Sequence, residues 1–260
     1  MLFRYVRYIK YFLFAGHRRG HGIHSPFIFD LINKVFRNKR ESEIVLSIEE
    51  VRKRLEADSS IINIFDRGAG SKRLKGDRRR ISDIARYSSV PKKYGILLYN
   101  LAEEFGKEGI IELGTALGIS TLYLAYGSPG SIVYTIEGSG EIAQLAGKIF
   151  ETEGMKNIRL YEGTFEDTLP AVINSGVKPG LVFIDGNHRK EPVLNYFRMI
   201  ESIAGDETVL VFDDINYSVE MHDAWQEIKR HKRVSATVDL YRMGLVFFRE
   251  GITHNNYIVR

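Results

Sequence analysis

The stretch Gly109–Ser120, GIIELGTALGIS, decides how most of this 260-residue chain is interpreted. An apolar run contains Glu112, a short turn carries Gly114 and Gly118, and the residues that follow have helical spacing. This order is typical of a strand, a ligand-binding loop and a helix in an α/β fold. A small ligand is therefore expected above the glycine turn.

The same alternation continues toward the C terminus. Further apolar runs, SIVYTIE, NIRLYEG, GLVFIDG and TVLVFDD, are separated by segments with helical spacing. This pattern predicts a Rossmann-like, doubly wound, mostly parallel sheet of seven strands, covered by helices on both faces. Two later β-rich stretches, RVSATVDL and GLVFFRE, are joined by a short turn and predict a hairpin that closes one sheet edge.

The first hundred residues differ from the rest in pattern and in charge. They carry 22 Lys/Arg against 10 Asp/Glu, a net charge of +12, whereas the remaining residues carry 15 against 23, a net charge of −8. Their spacing is helical, with breaks at glycine and proline. We therefore predict a basic, helical N-terminal cap over residues 1–95 and a ligand-binding domain over residues 96–260.

Composition excludes several kinds of site. The chain has no cysteine, which excludes disulfides, thiolate metal sites and cysteine nucleophiles, and a cytoplasmic location is the expectation. Residues 1–15 are rich in apolar side chains, but Arg4, Arg7 and Lys10 interrupt them and no small-residue cleavage site follows. We do not interpret this segment as a signal peptide.

Three ligands compete for the turn at Gly114–Gly118. A dinucleotide favours G-x-G-x-x-G, but Ala116 stands where the second glycine is needed. A phosphate-binding Walker loop ends in Gly-Lys-Ser/Thr, and this turn has no lysine. S-adenosylmethionine has a carboxylate, a sulfonium and a ribose but no phosphate, and the observed turn is compatible with it.

A second glycine turn, FDRGAGS at residues 65–71, competes for the same role. A nucleoside site has an acidic residue at the end of the next strand, about twenty positions on, which accepts hydrogen bonds from the ribose hydroxyls. Glu137 has this position after Gly114, whereas the cationic run SKRLKGDRRR follows the second turn. The turn at Gly114–Gly118 is therefore the predicted ligand site.

ELGTALGIS, with Glu137 after the next apolar run, resembles the first motif of class I S-adenosylmethionine-dependent methyltransferases. The resemblance is greatest to the O-methyltransferase branch that contains catechol and caffeoyl-CoA enzymes, and it covers about residues 109–250. HGIHSPFIFDLI and ISDIARYSSVPKKYG also resemble front segments of a group of bacterial methyltransferases. The resemblance implies methyl transfer from S-adenosyl-L-methionine to a hydroxyl of a small molecule.

The same resemblance implies a set of cofactor-binding residues. Glu112 and the glycine turn would hold the methionine part, Glu137 the ribose, and the segment from Gly163 would border the adenine. The predicted set is Glu112, Gly114, Thr115, Gly118, Ser120, Glu137, Gly163, Thr164, Phe165 and Asp185.

Three carboxylates follow two of the apolar runs and predict a metal site. Asp185 ends LVFID, and Asp213 and Asp214 end TVLVFDD. On neighbouring strands they would form the all-oxygen environment that Mg²⁺ prefers, and the metal would lower the pKa of a substrate hydroxyl. Metal-dependent O-methyltransferases of the catechol and antibiotic-sugar types resemble this layout. The alternative has no metal: Asp185 contacts the cofactor amine, and the other two cap the next helix.

His188 is the predicted catalytic base, with Asp185 beside it. Catechol-type enzymes have a lysine three residues after the first aspartate, and here that position is His188. A neutral imidazole has an ordinary pKa of about 6.5 and accepts a hydroxyl proton. A solvated loop histidine is the alternative. Asn216 and Tyr217 are expected to line the acceptor pocket.

The basic front leaves several partners open. Clustered cations and aromatics are typical of nucleic-acid binding, which favours an RNA or protein methyltransferase as the alternative enzyme. Residues 1–15 are also compatible with peripheral contact to an anionic membrane. Packing against the acidic body or against a second copy in a homodimer requires neither. A binding module with a cofactor fold but no chemistry is the alternative outside the enzymes.

Overall fold

The computed structural model describes residues 2–16, 23–40, 42–64 and 77–260. The second glycine turn, at residues 65–71, and the cationic run up to residue 76 lie outside the described residues. The chain divides into two compact units. The central unit is Lys39–Val177, and the terminal unit combines Met1–Asn38 with Lys178–Arg260. The predicted division into residues 1–95 and 96–260 stays a prediction.

Strands in the described residues are mostly short and apolar. They are β1 (Ile61–Asn63), β2 (Arg78–Arg80), β3 (Ile110–Leu113), β4 (Val133–Glu137), β5 (Ile158–Glu162), β6 (Leu181–Ile184), β7 (Val209–Phe212), β8 (Ala236–Asp239), β9 (Gly244–Phe247) and β10 (Asn255–Ile258).

Helices separate most of these strands. They are α1 (Leu2–Phe14), α2 (Pro26–Leu31), α3 (Glu43–Ala57), α4 (Ile81–Ser88), α5 (Lys92–Phe105), α6 (Ile119–Gly127), α7 (Gly140–Thr152), α8 (Phe165–Asn174), α9 (Lys190–Glu201) and α10 (Val219–Ile228). A π-helical turn, Ile32–Phe36, follows α2, and a 3₁₀ turn, Gly106–Glu108, follows α5. None of the helices in the described residues has the length and apolar composition that crossing a membrane requires.

The sheet confirms the predicted Rossmann-like class. Eight strands have the order β10-β8-β9-β7-β6-β3-β4-β5, and β1 and β2 form a separate antiparallel pair. In the central unit β4 runs parallel to both β3 and β5, and in the terminal unit β6 runs parallel to β7. Seven strands were predicted. The eighth, β10, pairs in parallel with β8 at the sheet edge.

The predicted hairpin is present, but it does not close the sheet. β8 and β9 are antiparallel, with Ala236 opposite Phe247. β9 also pairs antiparallel with β7, so it lies inside the sheet, and β10 covers the outer side of β8. The prediction of an edge hairpin is wrong because β10 returns to the sheet after the hairpin.

The burial of the central strands explains why most predicted site residues lie in the loops that follow them. Every residue of β3, β6 and β7 is buried, as expected for parallel strands covered on both faces. Backbone polar groups inside such strands are used by the sheet, so ligands bind in the loops that follow the carboxyl ends. Those loops carry most of the predicted site residues.

Candidate active site

The glycine loop, defined as Gly114–Gly118, connects β3 to α6 in the central unit. Its φ angles are 105° at Gly114 and 79° at Gly118, a region that glycine adopts without the steric penalty of a side chain. The N–H groups of Gly114 and Thr115 both donate to the carbonyl of Ile136 on β4, at 3.0 and 3.2 Å. The loop is therefore fixed to the backbone of the neighbouring strand.

Gly118 is tightly enclosed at the start of α6. A Cβ atom at this position would lie 2.5 Å from the ring of Phe150 on α7. The Gly118 carbonyl accepts the first helical hydrogen bond, from the N–H of Leu122 at 2.9 Å. The positive end of the helix dipole thus adjoins the glycine loop, where it favours a ligand carboxylate.

Glu137 links the end of β4 to the glycine loop. Its side chain accepts hydrogen bonds from the N–H of Ala116 and the N–H of Ser139, both at 2.9 Å. A carboxylate offers about four acceptor sites in total. The half-buried Glu137 therefore holds the loop, and its place at the end of β4 is the one predicted for ribose recognition.

Glu112 lies on β3 and is fully buried. Its Oε2 accepts hydrogen bonds from the hydroxyls of Thr121 at 2.5 Å and Thr135 at 2.7 Å. The hydroxyl of Thr115 lies 2.6 Å from that of Thr135, so the network reaches the glycine loop. Within the described residues, Oε1 of Glu112 has no hydrogen-bond partner.

This environment changes the acidity of Glu112. Burial raises its pKa to about 7; the hydrogen bonds from Thr121 and Thr135 and the nearby hydroxyl of Ser120 act in the opposite direction, and the charge of Glu137 raises it further. Buried polar atoms in proteins nearly always find a hydrogen-bond partner. Oε1 of Glu112 therefore fits a ligand group that donates hydrogen bonds, such as an ammonium.

The segment predicted to border adenine follows β5. Gly163 has a φ of 149°, and its N–H donates to the carbonyl of Glu137 at 2.9 Å. Thr164 caps α8, since its hydroxyl oxygen accepts from the N–H of Asp167 at 3.2 Å. Phe165, half-buried, is the first residue of that helix. The backbone thus brings this segment to the end of β4, beside the predicted ribose residue.

A second group of predicted residues lies in the terminal unit. These residues are Asp185, His188, Asp213 and Asp214; together with Arg242, which was not predicted, we call them the carboxylate corner. Nε of Arg242 lies 2.8 and 3.1 Å from the two carboxylate oxygens of Asp213, and Nη2 lies 2.5 Å from Oδ2. The Asp213 side chain is fully buried, so Arg242 engages both of its oxygens.

The charges of this corner are balanced by the same guanidinium. Burial opposes the charged form of Arg242, but the hydrogen bonds and charge of Asp213, with the charges of Asp214 and Asp185, raise its pKa above the ordinary value. Burial and the charge of Asp213 raise the pKa of Asp214, while Arg242, His188 and Arg4 act to lower it. Arg242 is therefore a permanent cation among three aspartates.

His188 and Asp185 lie together, as predicted for a base and its partner. Nε2 of His188 is 3.7 Å from Oδ1 of Asp185, which is an ion-pair distance rather than a hydrogen bond. Both side chains are partly accessible, 26% for His188 and 15% for Asp185. The His188 ring lies 5.8 Å from the ring of Tyr217, one of the residues expected at the acceptor pocket. The other, Asn216, is buried.

The three aspartates do not fit a metal ion as they are arranged. Across the parts of the chain that the structure describes, no group of three histidine or acidic residues is placed to hold one. Arg242 hydrogen-bonds to both oxygens of Asp213 and lies 3.8 Å from Asp214. The predicted metal would need carboxylate oxygens that are available as ligands, and the guanidinium of Arg242 already binds those of Asp213.

The sequence interpretation missed Arg242 and the two threonines around Glu112. Arg242 lies in the turn between β8 and β9, and 29 positions separate it from Asp213. No local pattern predicts such a pair. The hydroxyls of Thr121 and Thr135 left a weak signal, because polar side chains inside buried segments require hydrogen-bond partners.

Comparison with known proteins agrees with this architecture. A family model described as a methyltransferase domain matches residues 111–215. The catechol O-methyltransferase of Niastella koreensis is 30% identical over 131 residues, which are 49% of this chain and 58% of that protein. An uncharacterized RNA methyltransferase of Caldanaerobacter subterraneus is 27% identical over 146 residues, 55% of this chain and 32% of that protein. The chain thus covers less than two thirds of the length of these relatives.

Solved structures show the shared fold. The O-methyltransferase from Bacillus cereus in complex with SAH has a TM-score of 0.56 and 20% sequence identity, over 84% of this chain and 94% of that one. SAH is the product that S-adenosylmethionine leaves after methyl transfer. These matches confirm the resemblance seen in the sequence: residues 111–215 match a methyltransferase domain, and the chain shares its fold with the O-methyltransferase from Bacillus cereus.

Proposed function

We propose that this chain transfers the methyl group of S-adenosylmethionine to a hydroxyl oxygen of a small molecule. The observation that carries the proposal is the glycine loop beside two carboxylates, because Glu112 has a buried oxygen without a partner and Gly118 has no room for a side chain. The similarity to a catechol O-methyltransferase supports oxygen as the acceptor atom.

The central unit supplies the groups that would hold the cofactor. The loop N–H groups and the start of α6 suit the methionine carboxylate, and Oε1 of Glu112 suits its ammonium. Glu137 would accept hydrogen bonds from the ribose hydroxyls. Gly163, Thr164 and Phe165 would border the adenine. When bound, S-adenosylmethionine supplies a methyl carbon whose bond to sulfur breaks as the bond to the acceptor oxygen forms.

The terminal unit supplies the groups that would handle the acceptor. His188 would take the hydroxyl proton at Nε2 or Nδ1, which raises the electron density on the attacking oxygen. The carboxylate of Asp185, 3.7 Å from the ring, would stabilise the resulting imidazolium. Contact of Asp185 with the cofactor stays a prediction.

Mg²⁺ has no part in this mechanism. In metal-assisted transfer a divalent ion orients the acceptor oxygen and lowers its pKa, which requires available carboxylate oxygens. Here Arg242 engages those of Asp213. Methyl transfer is therefore expected to continue in the presence of EDTA.

RNA is the second candidate acceptor. Three consecutive arginines, Arg78–Arg80, form β2, and two of the three are exposed. A similar protein is described as an RNA methyltransferase. Incorporation of labelled methyl groups into total RNA, with none into catechol, would favour this acceptor over a small molecule.

Calorimetric titration of S-adenosylhomocysteine tests the cofactor site. The wild type is expected to bind it, and Glu137→Ala is expected to weaken binding by about tenfold or more, because the hydrogen bonds to a charged group are lost. Glu151→Ala, which removes an exposed glutamate from α7, is the matched control and should bind normally. Absence of binding by the folded wild type, or binding of NAD instead, would contradict the proposal.

Methyl transfer to catechol in EDTA tests the chemistry. His188→Ala is expected to lower kcat by about 10²-fold or more, as for loss of a general base. His24→Ala, which changes an exposed histidine, should leave kcat unchanged. Activity that disappears in EDTA and returns with Mg²⁺ would contradict the metal-free mechanism. Cofactor binding without transfer to catechol, to other hydroxyl compounds or to RNA would support a binding module instead.

A further inference from the structure

Within the terminal unit, the first helix contacts residues 178–260 mainly through one face. The Phe3 ring lies 6.0 Å from the ring of His222, and Nε of Arg7 donates to Oδ1 of Asn216 at 2.9 Å. One turn further, the hydroxyl of Tyr11 donates to a backbone carbonyl of the C-terminal tail at 2.5 Å. Phe3, Arg7 and Tyr11 follow one another at four-residue spacing, so these contacts fix the rotation of α1 about its axis.

The opposite face of α1 is apolar and exposed. We define the apolar face of α1 as the residues that helical spacing places away from Phe3, Arg7 and Tyr11. They are Leu2, Tyr5, Val6, Ile9, Phe12 and Leu13, between 41% and 77% exposed. No residue of α1 is buried. Soluble chains rarely leave so many large apolar side chains together on one helix face, and such a face is typical of a docking surface.

All the charged side chains of α1 are positive. Arg4 and Lys10 lie on α1, and the guanidinium of Arg260 is 3.8 Å from the ring centre of Phe12. No acidic residue precedes Asp30 in the sequence. Two copies of this face placed together would therefore bring cations against cations without an acidic residue of α1 to pair them. A surface with negative headgroups above an apolar layer complements both the charge and the apolar side chains.

We propose that α1 is an interfacial anchor that docks this chain on anionic lipid bilayers. The helix of 13 residues is about 20 Å long, which suits a position in the plane of the membrane surface. The apolar face enters the boundary between headgroups and acyl chains. Tyr5 and Phe12 have the amphipathic and aromatic character found at membrane interfaces. Lys10 contacts lipid phosphates.

Co-sedimentation of the full-length protein with vesicles tests the anchor. The vesicles are phosphatidylcholine alone or phosphatidylcholine with about one third phosphatidylglycerol. The wild type is expected to pellet with the anionic vesicles, less so as salt increases. The double variant Ile9→Glu/Leu13→Glu is expected to reduce the bound fraction about tenfold or more, because it places two charges in the apolar face.

A matched variant controls for the added charge. Leu46→Glu/Ile61→Glu makes the same two changes at exposed positions of α3 and β1, outside the terminal unit, and should bind vesicles like the wild type. Circular dichroism and urea unfolding establish that each variant is folded.

Four results would overturn the proposal. The folded wild type fails to pellet with anionic vesicles, or the two double variants lose binding equally. In the third, Ile9→Glu/Leu13→Glu converts a dimer into a monomer while vesicle binding is absent, which assigns the face to a second copy. Binding of single-stranded RNA that depends on Arg4 and Lys10, without vesicle binding, would assign the cations to nucleic acid and also overturn it.

Discussion

The glycine loop of the central unit and the carboxylate corner of the terminal unit both hold carboxylates in place, but the groups that hold them differ. Both place carboxylates at or near the carboxyl ends of buried parallel strands. Around the glycine loop, Glu112 and Glu137 are held by hydroxyl and backbone N–H donors. In the corner, Asp213 is held by the guanidinium of Arg242. Neutral donors leave the negative charge for a ligand, whereas a guanidinium neutralises it within the protein.

This difference decides which ligand each region suits. A carboxyl group held by neutral donors can still pair with a cationic ligand, such as an ammonium. A carboxylate that shares two hydrogen bonds with an arginine has lost most of its attraction for a metal ion. The same residue types at similar positions therefore support cofactor binding in one region and an internal ion pair in the other. Substitutions in each of the two regions test this difference.

The largest effect is expected from Arg242→Ala. This change leaves the buried carboxylate of Asp213 without its cation, and removing one partner of a buried pair costs about 3–5 kcal/mol. The free energy of unfolding, measured by urea titration, should fall by that order. Addition of Asp213→Asn to Arg242→Ala should restore part of the loss, because the uncompensated charge is then gone.

A surface pair in the same unit provides the control. Arg249 pairs with Glu207 at 2.8 Å, and the two side chains are 39% and 70% exposed. Arg249→Ala is expected to cost less than about 1 kcal/mol. If the two arginine substitutions lower the free energy of unfolding equally, Arg242 does not stabilise the buried carboxylate of Asp213. The proposed difference between the carboxylate corner and the glycine loop would then be wrong.

The fold was largely predictable because its signals are local. Apolar runs of four or five residues predicted β3 to β9, and their alternation with helices predicted the parallel sheet. β10 was missed because its sequence, NNYI, begins with two exposed asparagines, and Tyr257 is its only buried residue. An edge strand with one buried side chain carries little periodic signal.

The site was predictable only where its residues are close in sequence. The glycine spacing and the interval to Glu137 identified the loop, since turn geometry and strand length fix both. The ion pair of Arg242 and Asp213 forms because β9 pairs with β7. No spacing in the sequence predicts this strand pairing. The aspartate pattern therefore predicted a metal site but not the guanidinium that pairs with Asp213.

The second prediction concerns the pH dependence of stability and rests on Glu112. Its pKa is about 7 in the folded chain against an ordinary 4.5, so between these values the folded state holds a proton that the unfolded chain has released. The free energy of unfolding should therefore fall as pH rises through this window, by an amount on the order of 3 kcal/mol. Urea titrations at several pH values measure this slope.

Glu112→Gln removes the titrating group and keeps an oxygen that accepts from the two threonines. Between pH 4.5 and 7 the free energy of unfolding of this variant should change less than that of the wild type. The difference between the two changes should equal the contribution of Glu112 given above. The carboxylates of the corner contribute equally to both proteins and cancel. An identical slope in both would show that Glu112 is ionised at all these values, and its orphan oxygen would then need a partner within the protein.

The smallest effect is expected from Gly118→Ala, compared with Gly154→Ala, which distinguishes steric crowding at the glycine loop from backbone strain. Gly118 and Gly154 both have positive φ, 79° and 69°, so an alanine at either position is strained. At Gly154 no atom lies within 4 Å of the added Cβ, whereas at Gly118 the Phe150 ring is 2.5 Å away. Gly118→Ala should therefore cost about 1–3 kcal/mol more than Gly154→Ala in urea unfolding.

The ring of Phe150 provides the second half of this test. Phe150→Leu in the Gly118→Ala background should recover part of the difference if crowding is its cause, since a smaller side chain makes room for the methyl group. Titration of S-adenosylhomocysteine should show weaker binding in Gly118→Ala but not in Gly154→Ala, because only Gly118 belongs to the loop that Glu137 holds. Equal costs and equal affinities in the two alanine variants would mean that the loop tolerates a side chain. The glycine at position 118 would then serve backbone conformation alone, and the glycine loop would no longer differ from an ordinary turn between strand and helix.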